Sequence, residues 1–354
     1  ATDAWGLDDG YDDIYGRWHP TSPETAAALR EAMGAAPGVD GPPAGRPLWV
    51  VRAGAAEPLH RPGSHTLEDG STLALAGALP PDLPIGYHDL QPDDGGPPTR
   101  MIVTPGRCHL PDDLRTWALT VQLPACRSAT SWGMGDAADL ARIGGWARDH
   151  GAGLVAINPL HAPLPLPHVE PSPYYPSSRR WRNPLYIHVE SVPGAADDPE
   201  VARLATEARR LNRSPLIERD AVWALKQRAL ERVWSLTGGD AGFPAWRASQ
   251  GRDIEDYAVF CSLAEHHGSG WSSWPAEFRH PDRPQVASFA AAKPDRVGFW
   301  AWLQYVLDTQ LAVAGAESPL LSDLAIGVDP DGADAWTLQD YLAHGVRVGA
   351  PPDA

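Results

Sequence analysis

WALTVQL (117–123), MGDAADLARIGGWARDHG (134–151) and GLVAINPL (153–160) read in succession as strand, helix and strand. In the helical piece Leu140, Ile143, Trp146 and Ala147 fall on one side, and Asp136 is placed to cap the N-terminus. GLVAINPL is a continuous apolar run, the pattern of a strand covered on both faces of a parallel sheet. Together the three pieces predict a right-handed βαβ unit. A further run, LLSDLAIGVD (320–329), predicts a third strand of the same kind.

Side chains alternate along a strand, so each run has two faces. Trp117, Leu119, Val121 and Leu123 form one bulky face, as do Val155 and Ile157, and Leu324, Ile326 and Val328. Those faces suit packing under helices. The opposite faces are smaller and end in Gln122, Asn158 and Asp329. Polar residues converging at strand C-termini match the active-site end of a (β/α)8 barrel, although each can also simply cap a strand or start a turn. Asp329-Pro330-Asp331-Gly332 is itself a good turn sequence.

Working outward, residues 191–315 read as a long helical region, either an insertion between the second and third strands or a separate domain. On the N-terminal side lie LWVVRA (48–53), STLALAG (71–77), IGYHDL (85–90) and RMIVTP (100–105), separated by turn residues. These predict a small β-sandwich-like domain over 1–110. It is preceded by a short helix that Ser22 caps and Pro23 opens. A Pro/Gly-rich stretch, 37–47, lies between. The barrel part is expected over 111–354.

The loop after the second strand, PSPYYPSSRRWRNPLYIHVE (171–190), is too aromatic and too rich in turn residues for a plain connector. Tyr174 and Trp181 can stack on sugar rings, and Arg180 and Asn183 can hold hydroxyls. The competing reading is a rigid loop whose prolines fix the backbone and whose rings fill gaps.

The chain has 354 residues and a net charge of −16, which disfavours nucleic-acid and anionic-membrane partners. Cys108, Cys126 and Cys261 are odd in number and widely spaced, so neither a disulfide framework nor a zinc site is indicated, and a reducing cytoplasmic compartment is expected. No apolar run reaches the roughly 18 residues of a membrane span. The opening ATDAWGLDDGYDD is acidic and unlike a secretory signal. The 15 Trp against 5 Phe fit a carbohydrate protein, and equally a core rich in indole.

SWGMGDAADL (131–140), GLVAINPLHA (153–162), SPYYPSSRRWRNPLYI (172–187) and SDLAIGVDPDGADAW (322–336) resemble, in order and spacing, successive blocks of the 4-α-glucanotransferase family that contains amylomaltase and plant disproportionating enzyme. The resemblance covers roughly 112–354, and the Ser-Pro-Tyr to Asn-Pro block is its most specific part. It implies an incomplete (β/α)8 TIM barrel with helical insertions. It further implies retaining transfer of α-1,4-glucan segments between maltooligosaccharides, with no metal and no organic cofactor. Carried over by position, Tyr174 and Asn183 fall in the substrate loop, and Asp323, Asp329, Asp334 and Trp336 lie around the third strand, with binding or site-shaping roles.

The family's nucleophile lies in an Arg-x-Asp-His motif and its acid/base in a Glu-Asp-Leu-Gly motif, and neither follows Asp329 here. Arg148-Asp149-His150 lacks the spacer, and His88-Asp89 lies in the N-terminal region. No catalytic residue is therefore assigned, and the expectation is a chain that stops before the catalytic carboxylates. A non-catalytic α-glucan-binding protein and another barrel-type starch or glycogen enzyme are the competing readings.

Overall fold

In a computed structural model that describes residues 2–35, 48–59, 61–75, 77–342 and 345, the chain divides into two compact units. One comprises Ala1–Arg115 with Ala343–Ala354, the other Thr116–Leu342. The Pro/Gly-rich stretch 37–47 lies outside the described residues.

The N-terminal unit opens with a two-stranded antiparallel hairpin, β1 (Gly10–Asp12) and β2 (Trp18–Pro20), and helix α1 (Pro23–Ala32). The Ser22 side chain accepts from Thr25 N–H and Pro23 occupies the first turn, as a helix start requires. A five-stranded sheet follows, from β3 (Leu48–Arg52), β4 (Gly63–Thr66), β5 (Thr72–Leu75), β6 (Gly86–Pro92) and β7 (Thr99–Thr104). Its order is β3-β7-β6-β4-β5, with β3 and β7 parallel and the other pairs antiparallel. The expected sandwich of two packed sheets is thus a single mixed sheet among the described residues. One face carries Trp49, Val51, Met101 and Val103, packed with Leu79 and Leu83 from the connections. The sequence of β4, GSHT, reads as a turn. It becomes a strand because its backbone pairs with neighbours on both sides.

In the second unit β8 (Ala118–Val121), β9 (Leu154–Ile157) and β12 (Leu320–Ser322) form a parallel sheet in the order β12-β9-β8. Between β8 and β9 runs α2 (Ala137–Asp149), capped by Asp136 in a capping box with Asp139. A short antiparallel pair, β10 (His161–Ala162) and β11 (Ser178–Arg182), encloses the aromatic loop. Six helices then intervene: α3 (Pro199–Ala208), α4 (Arg219–Thr237), α5 (Phe243–Gln250), α6 (Arg252–His267), α7 (Pro284–Ala292) and α8 (Pro294–Glu317). Helix α8 packs on α2 and α6, buries Phe299, Trp300, Trp302 and Leu303, and leads into β12. A short helix, α9 (Ala333–Thr337), follows β12.

The helix-side face of the sheet is as the alternation predicts for β9, where Val155 and Ile157 are buried. Along the first strand only Leu123, just past β8, is buried; Leu119 and Val121 are half-buried, and Trp117 is 48% exposed because it precedes the strand. The third strand differs. It ends at Ser322 rather than running to Asp329, and Leu324 and Ile326 are 62% and 82% exposed instead of packed under helices. Asp323 ends the ladder. Its backbone N–H still bonds Ile157 C=O at 3.0 Å, but its carboxylate takes the N–H of Leu324 at 2.8 Å, so the chain turns out of the sheet.

Candidate functional site

The ends of β8 and β9 are tied by one side chain. Asn158 is buried. Its Oδ1 accepts from Leu123 N–H at 2.9 Å, and its Nδ2 donates to Pro159 C=O and the Tyr186 hydroxyl. Burial pushes the Tyr186 phenol up to about 12, so it stays protonated. Beyond these strand ends lies a cleft of about 210 Å³. Gln122, His161, Glu170, Tyr175, Asn183 and Arg219 are among its walls. Prolines of the 163–176 loop form much of the rest, which gives the cleft stiff walls.

The aromatic loop is fastened along the segment after β12. Tyr174 O–H donates to Asp323 Oδ2 at 2.6 Å, and this bond, more than any other contact, holds the Asp323 carboxyl below the usual carboxylate range. Asp329 N–H bonds Pro176 C=O at 2.7 Å. Ala333 N–H bonds Ser177 Oγ at 2.9 Å, and Asp334 N–H bonds Ser177 C=O at 3.0 Å. Arg179 closes the row: its N–H bonds Asp334 Oδ2, and its guanidinium donates to the carbonyls of Ala325 and Ile326. Gly332 is needed here, because a Cβ at that position would lie 2.6 Å from both Cα and O of Ser177.

The sequence-predicted residues therefore separate into two groups. Asn183 and Gln122 line the cleft with Asn158, and Asn183 Oδ1 also accepts from Leu185 N–H at 3.0 Å. Tyr174, Asp323, Asp329 and Asp334 belong to the seam between loop and segment. Asp329 caps its own turn, accepting from Asp331 N–H at 2.9 Å, and burial raises its carboxyl. Trp336 is fully buried against Phe260 and Trp274, with its indole N–H on Phe278 C=O. Trp181 is half-buried against Trp246 and Tyr257. Arg180 pairs with Asp253.

Three residues carry weight that the sequence reading passed over. Arg219, in the first turn of α4, brings a guanidinium from the helical region into the cleft wall, and no hydrogen bond or ion pair to another described residue engages it. His161 is buried at the cleft floor. Its Nε2 accepts from Ala325 N–H at 3.3 Å, and burial, reinforced by Arg182 and Arg179, holds it neutral. Lys226, fully buried on α4, donates to Leu185 C=O at 2.6 Å and Ile187 C=O at 2.7 Å, with Asp136 at 3.9 Å. It clamps the Asn-Pro block to the helices. A lysine on an otherwise apolar helical stripe was the available signal. Among the described residues no cluster of three or more His, Cys, Asp or Glu is placed to hold a metal ion. None of the described helices is long and apolar enough to cross a membrane.

The sequence model for 4-alpha-glucanotransferases of the glycoside hydrolase type matches residues 121–354. The 4-alpha-glucanotransferase of Mycobacterium tuberculosis is 46% identical over 312 residues, which are 80% of this chain and 43% of that protein. The Haemophilus influenzae 4-alpha-glucanotransferase is 28% identical over 312 residues, 78% of this chain and 44% of that protein. The chain thus spans less than half the length of these relatives. Among solved structures, the amylomaltase of Corynebacterium glutamicum superposes with a TM-score of 0.79 at 28% identity, covering 99% of this chain and 57% of that one. The amylomaltase of Streptococcus agalactiae in complex with acarbose superposes at 0.52 with 13% identity, over 64% of this chain and 46% of that one, a likeness of fold alone.

Proposed function

The chain belongs to the 4-alpha-glucanotransferase family of glycoside hydrolases, and from that premise we propose that its cleft holds a segment of an α-1,4-glucan during transfer between maltooligosaccharides. The observation that carries this is the cleft's place at the C-terminal ends of two parallel strands, with amide, hydroxyl and guanidinium groups facing a neutral ligand. In this reading β8, β9 and β12 are the first three strands of a (β/α)8 barrel, and α3–α8 are a helical insertion. Asn183 and Arg219 hold sugar hydroxyls. Tyr174, Asp323, Asp329 and Asp334 hold the loop that forms one wall, and Trp336 supports it from within. The three free cysteines suit a reducing cytoplasm.

Retaining transfer needs two carboxyl groups about 5–5.5 Å apart, one to attack the anomeric carbon and one to protonate the leaving oxygen. Glu170 is the one carboxylate among the described residues that line the cleft. The proposal is therefore that the reacting pair comes from sequence outside these 354 residues and that this chain supplies part of the substrate site. The same observation favours a second reading, a glucan-binding protein without catalysis.

One experiment separates them. The chain is incubated with maltotriose, alone and with the C-terminal half of a family member supplied in trans. Transfer products, glucose and longer maltooligosaccharides, are expected only in the mixture. Binding without turnover in either sample favours the second reading. Turnover by the chain alone, or no maltotriose or acarbose binding by calorimetry, sinks the proposal.

A further inference from the structure

We propose that the β1–β2 hairpin carries a second, separate binding site for a neutral glucan chain, with the Trp18 indole as its stacking surface. The inference rests on the glucan reading above only for the identity of the polymer. In the hairpin register Trp18 faces Asp12, and Tyr11 faces His19. Alternation puts Trp18 on the same ribbon face as Gly10. The indole lies against that glycine: a Cβ at position 10 would strike the His19 carbonyl oxygen across the ribbon first, and then the ring, at 2.5 Å from Cζ2 and 2.7 Å from Cε2. Glycine therefore seats the ring, and Trp18 remains 52% exposed.

The hairpin is held stiff by Asp13, whose carboxylate accepts from the N–H groups of Tyr15 and Arg17 and pairs with His19 at 3.0 Å. Tyr11 stacks on His19 across the other face. Tyr15 lies under the Arg17 guanidinium. Those rings have partners, whereas the outer surface of Trp18 is open next to the exposed carboxylate of Asp12. An apolar ring beside an acceptor matches a pyranose, which offers a C–H face and hydroxyl donors together. The acidity of the hairpin and of the whole chain turns away phosphorylated or nucleic-acid ligands.

The test is affinity electrophoresis of the 354-residue chain in native gels containing soluble amylose, beside calorimetric titration with maltotriose for the cleft. Amylose is expected to retard the native chain. Trp18→Ala is expected to weaken that retention about tenfold, the equivalent of ~1.4 kcal/mol. Maltotriose binding and the thermal midpoint of Trp18→Ala should not change. Trp18→Phe should retain part of the binding. Absence of retardation in the native chain overturns the proposal, as does undiminished retardation of Trp18→Ala. Trp18-dependent retention in a chain that fails to bind maltotriose leaves this site standing and removes the cleft reading alone.

Discussion

Lys226 illustrates what a single buried charge does here. Burial works against its ammonium group, and it raises the nearby Asp136 carboxyl in the same way. The lysine nevertheless satisfies two carbonyls of the Asn-Pro block that helices α4 and α8 enclose. Lys226→Met keeps the length and removes the donors, leaving those carbonyls without a partner and the Asp136 carboxyl, which still caps α2, without the ammonium charge 3.9 Å away. It should cost about 3–5 kcal/mol in urea unfolding. Adding Asp136→Asn should recover part of the loss, and simple additivity of the two changes would disprove the coupling. Tyr174 acts at the surface. Tyr174→Phe removes the bond that does most to depress the Asp323 carboxyl. The Asp323 pKa, followed by NMR, should therefore rise toward the ordinary carboxylate value, and an unchanged titration would refute the seam at that point.

At the scale of elements, the decisive contact is the close approach of α9 to the aromatic loop. Ser177 receives the first N–H groups of that helix, and Gly332 lets the two backbones touch. Gly332→Val places a side chain against backbone atoms that have no room to give. It should destabilise the second unit by about 1–3 kcal/mol and weaken maltotriose binding through the displaced loop. Calorimetry and urea unfolding of the same variant check both. Normal values for both would show that the loop does not depend on the helix. Helix α4 joins the same construction from the other side, since one element carries Arg219 into the cleft wall and Lys226 into the core.

For the molecule as a whole, both units should be sensitive to acid, the second through His161 and the N-terminal unit through His65. His65, on β4, is fully buried, with neither ring nitrogen hydrogen-bonded. Burial, and then the neighbouring His88 on β6, push its pKa below 6.5. Other ionisable groups near this pair are Glu68, whose N–H bonds His88 Nδ1 and whose carboxylate accepts from Tyr87 N–H, and Asp69. The unfolded chain takes up a proton near pH 6.5 while the folded unit resists it. The stability contribution is therefore complete above that pH and falls as pH drops toward the depressed folded value. Thermal unfolding should show a fall in this unit's midpoint between about pH 7 and pH 5. His65→Leu should flatten it, and an equal fall in that variant would assign the effect elsewhere.

Local rules were enough for the sequence to determine the βαβ unit, the capped starts of α1 and α2, the helical stretch and the identity of the aromatic loop. Each depends on periodicity, a cap or a turn residue within a few positions. Pairing partners decided the rest. GSHT is a strand because β5 and β6 lie on either side of it, and LLSDLAIGVD stops being one at Asp323 because a side chain there competes for the next N–H. Asn183 was legible as a cleft residue from its loop. Arg219 was not, because it reaches the cleft from a helix beginning more than 30 residues later, a distance along the chain that only tertiary packing closes.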